Sequence, residues 1–360
     1  MIFSKKNLTW VAVVIILIGV YFVFFNSDSS DSSGNQTREL VFLMAHKPDN
    51  KDNVALIQDF ADIVYKQTKG TVHITPLDPQ YQTGVVGESA DTPILALEDI
   101  SNGTASIAQI SLKRFPEVYP ELFPLLALDA LQVFRSHEHT AHVLDGDVGR
   151  DLLQMIDEHT DGKLRGLDFT YSGGYRNIFS TVPIHSLSDL KGLSMRNTRL
   201  MSKELMDSLG IITLDTVDFR SSRWEEGMLD GSIELEEAEN LRIESYRIQY
   251  PEIVKKIDTI VETNHSMFLT ALVFNASQFD SLTSEQQAIV SKEARTLALK
   301  ERELSIQQSI DSKERFQNEG VAFLSLNDAD QKTLTEKSNA IRAQHEDTLS
   351  EWFKRIEAVE

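Results

Sequence analysis

The sequence predicts an α/β protein in two lobes, and three features carry that expectation. The chain opens on a strand–helix–strand unit. A second such unit follows in the middle third. The 360 residues are also more than a single core usually holds. In the first unit, Leu40–Ala45 is a short apolar strand. Val54, Ile57, Phe60, Ala61 and Val64 then share one helical face, which Gly70 ends, and Val72 and Ile74 alternate with polar neighbours. Such a unit implies a parallel sheet covered by helices.

The elements between and after follow from punctuation and period. Gly84 and Gly87 lie in a loop, a helix spans about 89–102 up to Gly103, and Ser106–Ile110 is a strand. Pro116, Pro120 and Pro124 break the next stretch, a helix covers about 140–159, and Leu164–Phe169 is a strand. The second unit has strands at Asn177–Ser180, Leu193–Arg196 and Ile211–Leu214, with a helix over about 199–209 before the last. From Ser284 to about Asn318 there is neither proline nor glycine. Ser284 with Gln287 reads as a capping box, so roughly 35 residues form a helix near 50 Å long. Its apolar stripe is loose and keeps no heptad, which fits a strut across two lobes better than a coiled coil. A strand at Val321–Leu326 and a polar helix close the chain.

Composition narrows function. The formal net charge is −20, which disfavours nucleic acid and anionic lipid as partners but leaves room for an anionic ligand at a local arginine site. With no cysteine, disulfides, thiolate metal sites, cysteine nucleophiles and a cysteine-linked lipid anchor are excluded. Lys5 and Lys6 precede an apolar run from Leu8 to Phe25. About eighteen residues at 1.5 Å each span roughly 27 Å, close to the hydrocarbon thickness. Residues 1–25 are read as a retained membrane anchor with the rest of the chain outside the cytoplasm. A cleaved signal peptide is the rival, but Phe24-Phe25-Asn26-Ser27 offers no usual cleavage site. Residues 26–37 form a Ser/Asp-rich tether.

Two arginines stand out. Arg196 ends a short apolar strand, and Arg176 follows Gly173-Gly174 before another. Ligands of open α/β sheets bind outside the carboxyl ends of strands, and a guanidinium grips a carboxylate with paired hydrogen bonds. The bland alternative for each is a surface or interlobe ion pair. Asn240 follows the acidic run Glu234–Glu239 and could offer a donor and an acceptor, against a plain loop asparagine beside a solvated acidic face. His137, His139 and His142 could bind a metal, but only the last two share a helical face and no third ligand follows, so no metal site is expected. Catalytic and nucleotide signatures are missing, which favours a binding protein over an enzyme and implies no cofactor.

Several segments together resemble a known family. They are Thr68-Lys69-Gly70, Ile100-Ser-Asn-Gly103, Tyr119-Pro120, Gly173-Gly-Tyr-Arg176, Asp189-Leu-Lys-Gly-Leu-Ser-Met-Arg196, Glu239-Asn240 and Thr263-Asn-His265. In this order and spacing, over about 40–326, the chain resembles the DctP-type substrate-binding subunits of tripartite ATP-independent periplasmic (TRAP) transporters. The resemblance implies a periplasmic-binding-protein-like fold with crossing strands and a long lobe-spanning helix. Lobe I would comprise 38–172 and 263–303, and lobe II 173–262 and 304–360. It implies a receptor on the outer face of the membrane that closes on a small carboxylate and delivers it to permease subunits. Arg196 would make the main salt bridge, Arg176 and Asn240 would add contacts, and Glu88 and Phe219 complete the ligand-binding set, with Phe115 and Tyr171 as further lining candidates. A ligand-sensing subunit and an enzyme acting on a carboxylate are the alternatives. The family's usual Val/Ile-Asp-Gly-x-Glu-Asn-Pro is here Ile233-Glu-Leu-Glu-Glu-Ala-Glu-Asn240-Leu241. An ungapped alignment puts Ala238 at the asparagine position, whereas the distance to Tyr250 favours Asn240.

Overall fold

Arg38–Leu43 and Val72–Leu77 pair in parallel as β1 and β2 of the computed structural model, which describes residues 37–44, 51–77, 92–196, 200–214 and 222–360. Helix α1 (Lys51–Gln67) connects them and buries Ile57, Phe60, Ala61 and Val64, the face its 3.6-residue period presents. Helix α2 (Thr92–Asn102) leads to β3 (Ile107–Ser111), which joins β1 on its other side, again in parallel.

The predicted helix at 140–159 is two helices, α3 (His137–Asp145) and α4 (Asp147–Glu158). They break at Gly146, where a Cβ would lie 2.7 Å from the His142 carbonyl oxygen. The two strands expected at 164–169 and 177–180 are parts of one 17-residue strand, β4 (Leu164–Ser180). The second unit follows as β5 (Ser194–Arg196), α5 (Leu200–Ser208), β6 (Ile212–Leu214), α6 (Ser222–Asp230) and β7 (Leu235–Glu239). Strand β5 pairs in parallel with both β6 and β7.

Helix α7 (Asn240–Gln249) and a 17-residue strand β8 (Thr259–Asn275) come next. Strands β4 and β8 pair antiparallel along most of their lengths, which makes them the crossing strands. Helix α8 (Ser284–Asn318) is 35 residues long, as its composition predicts. Its capping box is Thr283 with Gln286, one residue ahead of the predicted pair. Strand β9 (Ala322–Ser325) pairs with β8, and α9 (Asp328–Gln344) and α10 (Glu346–Glu357) end the chain.

Among the described residues the strands form one nine-stranded sheet in the order β2-β1-β3-β8-β4-β7-β5-β6, with β9 beside β8. The order reverses at β1 in one half and at β5 in the other. Each reversal is a topological switch point, where adjacent connections leave to opposite faces and open a crevice at the carboxyl ends. Residues 45–50, 78–91, 197–199 and 215–221, and with them the predicted site residues Glu88 and Phe219, lie outside the described residues, as do the predicted anchor and all but the last residue of the tether. No helix among the described residues is long and apolar enough to cross a membrane.

Candidate functional site

Strand β7 organises the site. The acidic run expected on a solvated face is instead a buried strand, with all five residues Leu235–Glu239 inaccessible. Successive side chains point to opposite faces. Glu237 and Glu239 therefore face one way and Glu236 the other, and each face receives one arginine.

Arg196, the last residue of β5, lies on the Glu236 face. Its Nε donates to Glu236 Oε2 at 2.7 Å, and its Nη2 donates to Glu236 Oε1. The guanidinium lies over Trp224 of α6, 5.3 Å from the ring centroid. Trp224 Nε1 and the Tyr246 hydroxyl of α7 donate to Glu236 at 3.3 and 3.4 Å. Trp224 and Tyr246 are fully buried and meet edge to face at 5.5 Å. Beside them a narrow hollow lined by Phe179, Met228 and Ile257 is too small for water. Glu236 is thus buried among apolar and aromatic groups, while Arg196 keeps part of its side chain exposed. Burial alone would lower the Arg196 pKa, but the charge and hydrogen bonds of Glu236 raise it. Burial also pushes the Tyr246 hydroxyl up to about 12, so it stays a donor.

Arg176, in β4, lies on the opposite face. It donates through Nε to Glu237 Oε1, through Nη1 to Glu239 Oε2 at 2.8 Å, and through Nη2 to the Glu237 carbonyl at 2.8 Å. Burial pushes the Glu237 carboxyl up, but the Arg176 charge and the His265 hydrogen bond outweigh it and hold the group well below the usual range. His265 is placed by a kink in β8. The pairing slips between Arg176 and Ile178, and Asn264 takes φ +44°, a left-handed value asparagine tolerates. The Asn177 side chain accepts from Asn264 N at 3.0 Å. His265 Nε2 then lies 3.1 Å from Glu237 Oε1, and its Nδ1 lies 2.7 Å from Thr263 Oγ1. The second Glu237 oxygen is buried with no partner.

Arg176 and Arg196 are near enough that the charge of one acts on the other, but each is held by an internal carboxylate. Asn240 opens α7 and turns toward α8, its Nδ2 3.4 Å from the Ser309 carbonyl oxygen. The position that an ungapped alignment favours, Ala238, packs with Phe179 and Trp224. Phe115 is core. Tyr171 is buried against His137 at 6.0 Å and Arg302 at 5.9 Å. The three histidines of α3 diverge. His137 packs on Tyr175 at 5.0 Å, His139 Nε2 is 3.0 Å from the Ile356 carbonyl oxygen, and His142 Nδ1 is 2.6 Å from a Glu360 oxygen. No group of three metal-ligating side chains occurs among the described residues.

Sequence reasoning missed Glu236, Glu237, Trp224 and Tyr246. A usable signal was present. Ile233, Leu235 and Ala238 interleave the acids, an apolar content too high for a solvated run.

Two α/β halves joined by long crossing strands have the architecture of a two-lobed solute-binding protein. The model of the Bacterial extracellular solute-binding protein, family 7, matches residues 44–348, and the chain belongs to this family. This bears out the resemblance and makes the protein an extracytoplasmic solute-binding protein. A TRAP periplasmic solute-binding protein of Pseudomonas putida F1 with bound D-glucuronate is 23% identical, with TM-score 0.72 over 90% of this chain and 98% of that one. One of Xanthobacter autotrophicus Py2 with bound β-D-galacturonate is 23% identical, with TM-score 0.71 over 89% and 100%. One of Sulfurospirillum deleyianum with bound succinate is 17% identical, with TM-score 0.70 over 90% and 100%.

Proposed function

We propose that this protein is the receptor of a TRAP transporter, that it binds a small organic acid at the carboxyl end of β5, and that it hands the acid to membrane permease subunits without a bond-making step. The observation that carries this reading is the place of Arg196, a partly buried guanidinium at the switch point of the second unit. Trp224 and Glu236 fix its plane. Displacing Glu236 would strand a buried carboxylate, at a cost of about 3–5 kcal/mol. The solute carboxylate therefore joins the pair and leaves Glu236 in place. Arg176 acts from the far side of β7 and Asn240 from the start of α7, and Glu88 and Phe219 complete the ligand-binding set.

The lobes are 38–172 with 263–303 and 173–262 with 304–360. In β4 the boundary coincides with the register slip between Tyr171 and Gly174, where interrupted pairing lets the strand bend. Closure there draws the lobes onto the solute. The run Leu8–Phe25 holds the receptor at the outer face of the membrane, near its permease.

The test is a thermal-shift and calorimetry screen of the full chain with uronates, hydroxy acids and dicarboxylates. A true solute at one hundred times its Kd adds about 2.7 kcal/mol of stability. Arg196→Ala should remove that gain while the unliganded variant still unfolds cooperatively. An undiminished gain in the variant, or no gain from any acid in the wild type, defeats the reading.

A further inference from the structure

The charges around β7 bear on which acid is bound. Two guanidiniums, Arg176 and Arg196, meet three buried carboxylates, Glu236, Glu237 and Glu239. Asp129, whose charge reaches Arg176, and Arg242, which contacts Tyr246, add one of each sign. Leaving His265 aside, the carboxylates outnumber the guanidiniums by one among these residues. The acids cannot turn to water, because Glu236 and Glu237 are each 1% exposed and Glu239 is 5% exposed. The second oxygen of Glu237 is buried and accepts nothing, and the Ser266 hydroxyl, on the residue that pairs with Arg176 across β8, is also buried and unpartnered. A buried acceptor without a donor is costly, so a solute that brings O–H or N–H groups relieves it.

We propose that the acidic strand β7 sets the charge class of the solute: the receptor selects acids with one carboxylate and several hydrogen-bond donors, and rejects dicarboxylates. This rests on the carboxylate-receptor reading above. One carboxylate can join the Arg196–Glu236 pair. A second meets carboxylates on both faces of β7 with no uncompensated cation among the residues named. At separations of about 7 Å and an effective dielectric near 20, like-charge repulsion is worth a factor of about ten or more in affinity.

Matched pairs of acids provide the test, with calorimetry on the full chain. D-gluconate and D-glucarate share a carbon chain and most of their hydroxyls and differ by one carboxylate. Succinamate and succinate differ likewise without hydroxyls. The monoanion should bind about tenfold or more tighter in each pair, and the gluconate pair should bind more tightly than the succinate pair. Glu236→Gln and Glu239→Gln, each nearly isosteric, should raise dianion affinity about tenfold and narrow the ratio. Melting without ligand identifies a misfolded variant, and the other then carries the test. Dianions binding as tightly as monoanions, or a ratio that neither substitution changes, overturns the proposal while the receptor reading stands. If no acid of any kind binds, the receptor reading itself has failed.

Discussion

Arg176 shows what one buried charge does here. Its guanidinium satisfies two carboxylates and a backbone carbonyl, and the Glu237 side chain it faces has no exposure. Arg176→Ala removes the cation and leaves both acids buried. The expected loss is about 3–5 kcal/mol, read from urea unfolding at neutral pH. Glu237 also gives the pair a pH signature. Its folded pKa lies below its ordinary value of 4.5, so the folded state binds its proton less readily than the unfolded chain. Its stabilisation is complete above that value and is lost as pH falls through the depressed folded pKa. The melting difference between wild type and Glu237→Gln should be full at pH 7 and shrink progressively as pH falls below about 4.5. A difference that persists unchanged at pH 2 would mean that packing, and not charge, sets it.

At the scale of elements, legibility followed periodicity. Helix α1 was readable because its apolar residues recur at helical spacing, and α8 because nothing interrupts it. Strand β7 was not, since three buried glutamates contradict the rule that strands facing a core are apolar. Their arginine partners lie 40 to 63 residues away in sequence, beyond any local window. The full length of β4 was hidden by Gly173 and Gly174, which signal a turn in sequence and accompany a register slip in the sheet. The arginines stood out in sequence because each lies beside a predicted strand, but their internal acids did not, because an isolated arginine does not name its counter-ion. Helix α8 packs Val290, Ala294, Leu297 and Phe316 into the cores and is held by charge as well. Arg302 donates to Asp168 at 2.8 Å and to the Phe169 carbonyl oxygen at 2.7 Å, and Gln109 donates to Glu301 at 2.6 Å. At its start the Thr283 hydroxyl accepts from Gln286 N at 3.2 Å, and Gln286 reaches back to Thr283 N at 2.8 Å. Thr283→Ala should cost about 1 kcal/mol, seen as a lower denaturant midpoint at unchanged slope. Ser284→Ala, at the position the sequence favoured, should cost much less.

Over the whole molecule, two populations of charge respond differently to salt. The net charge of −20 belongs to an acidic surface that repels itself and disfavours the compact state. Exposed charges are screened once the Debye length falls to about 10 Å, near 0.1 M salt. The melting temperature of the unliganded protein should therefore rise between about 0.01 and 0.15 M sodium chloride. The acids at β7 are buried, with Glu236 and Glu237 each 1% exposed, and salt screens such pairs much less. The deficit caused by Arg176→Ala should accordingly be the same at both salt concentrations, while an exposed-pair substitution such as Lys255→Ala, facing Glu252 at 2.8 Å with both side chains more than two-thirds exposed, should change stability by less than about 1 kcal/mol. Parallel melting curves for wild type and Arg176→Ala across the salt series are the expected outcome. A deficit that salt erases would place the Arg176 cluster in contact with solvent and remove the low-dielectric setting on which the charge selection at β7 depends.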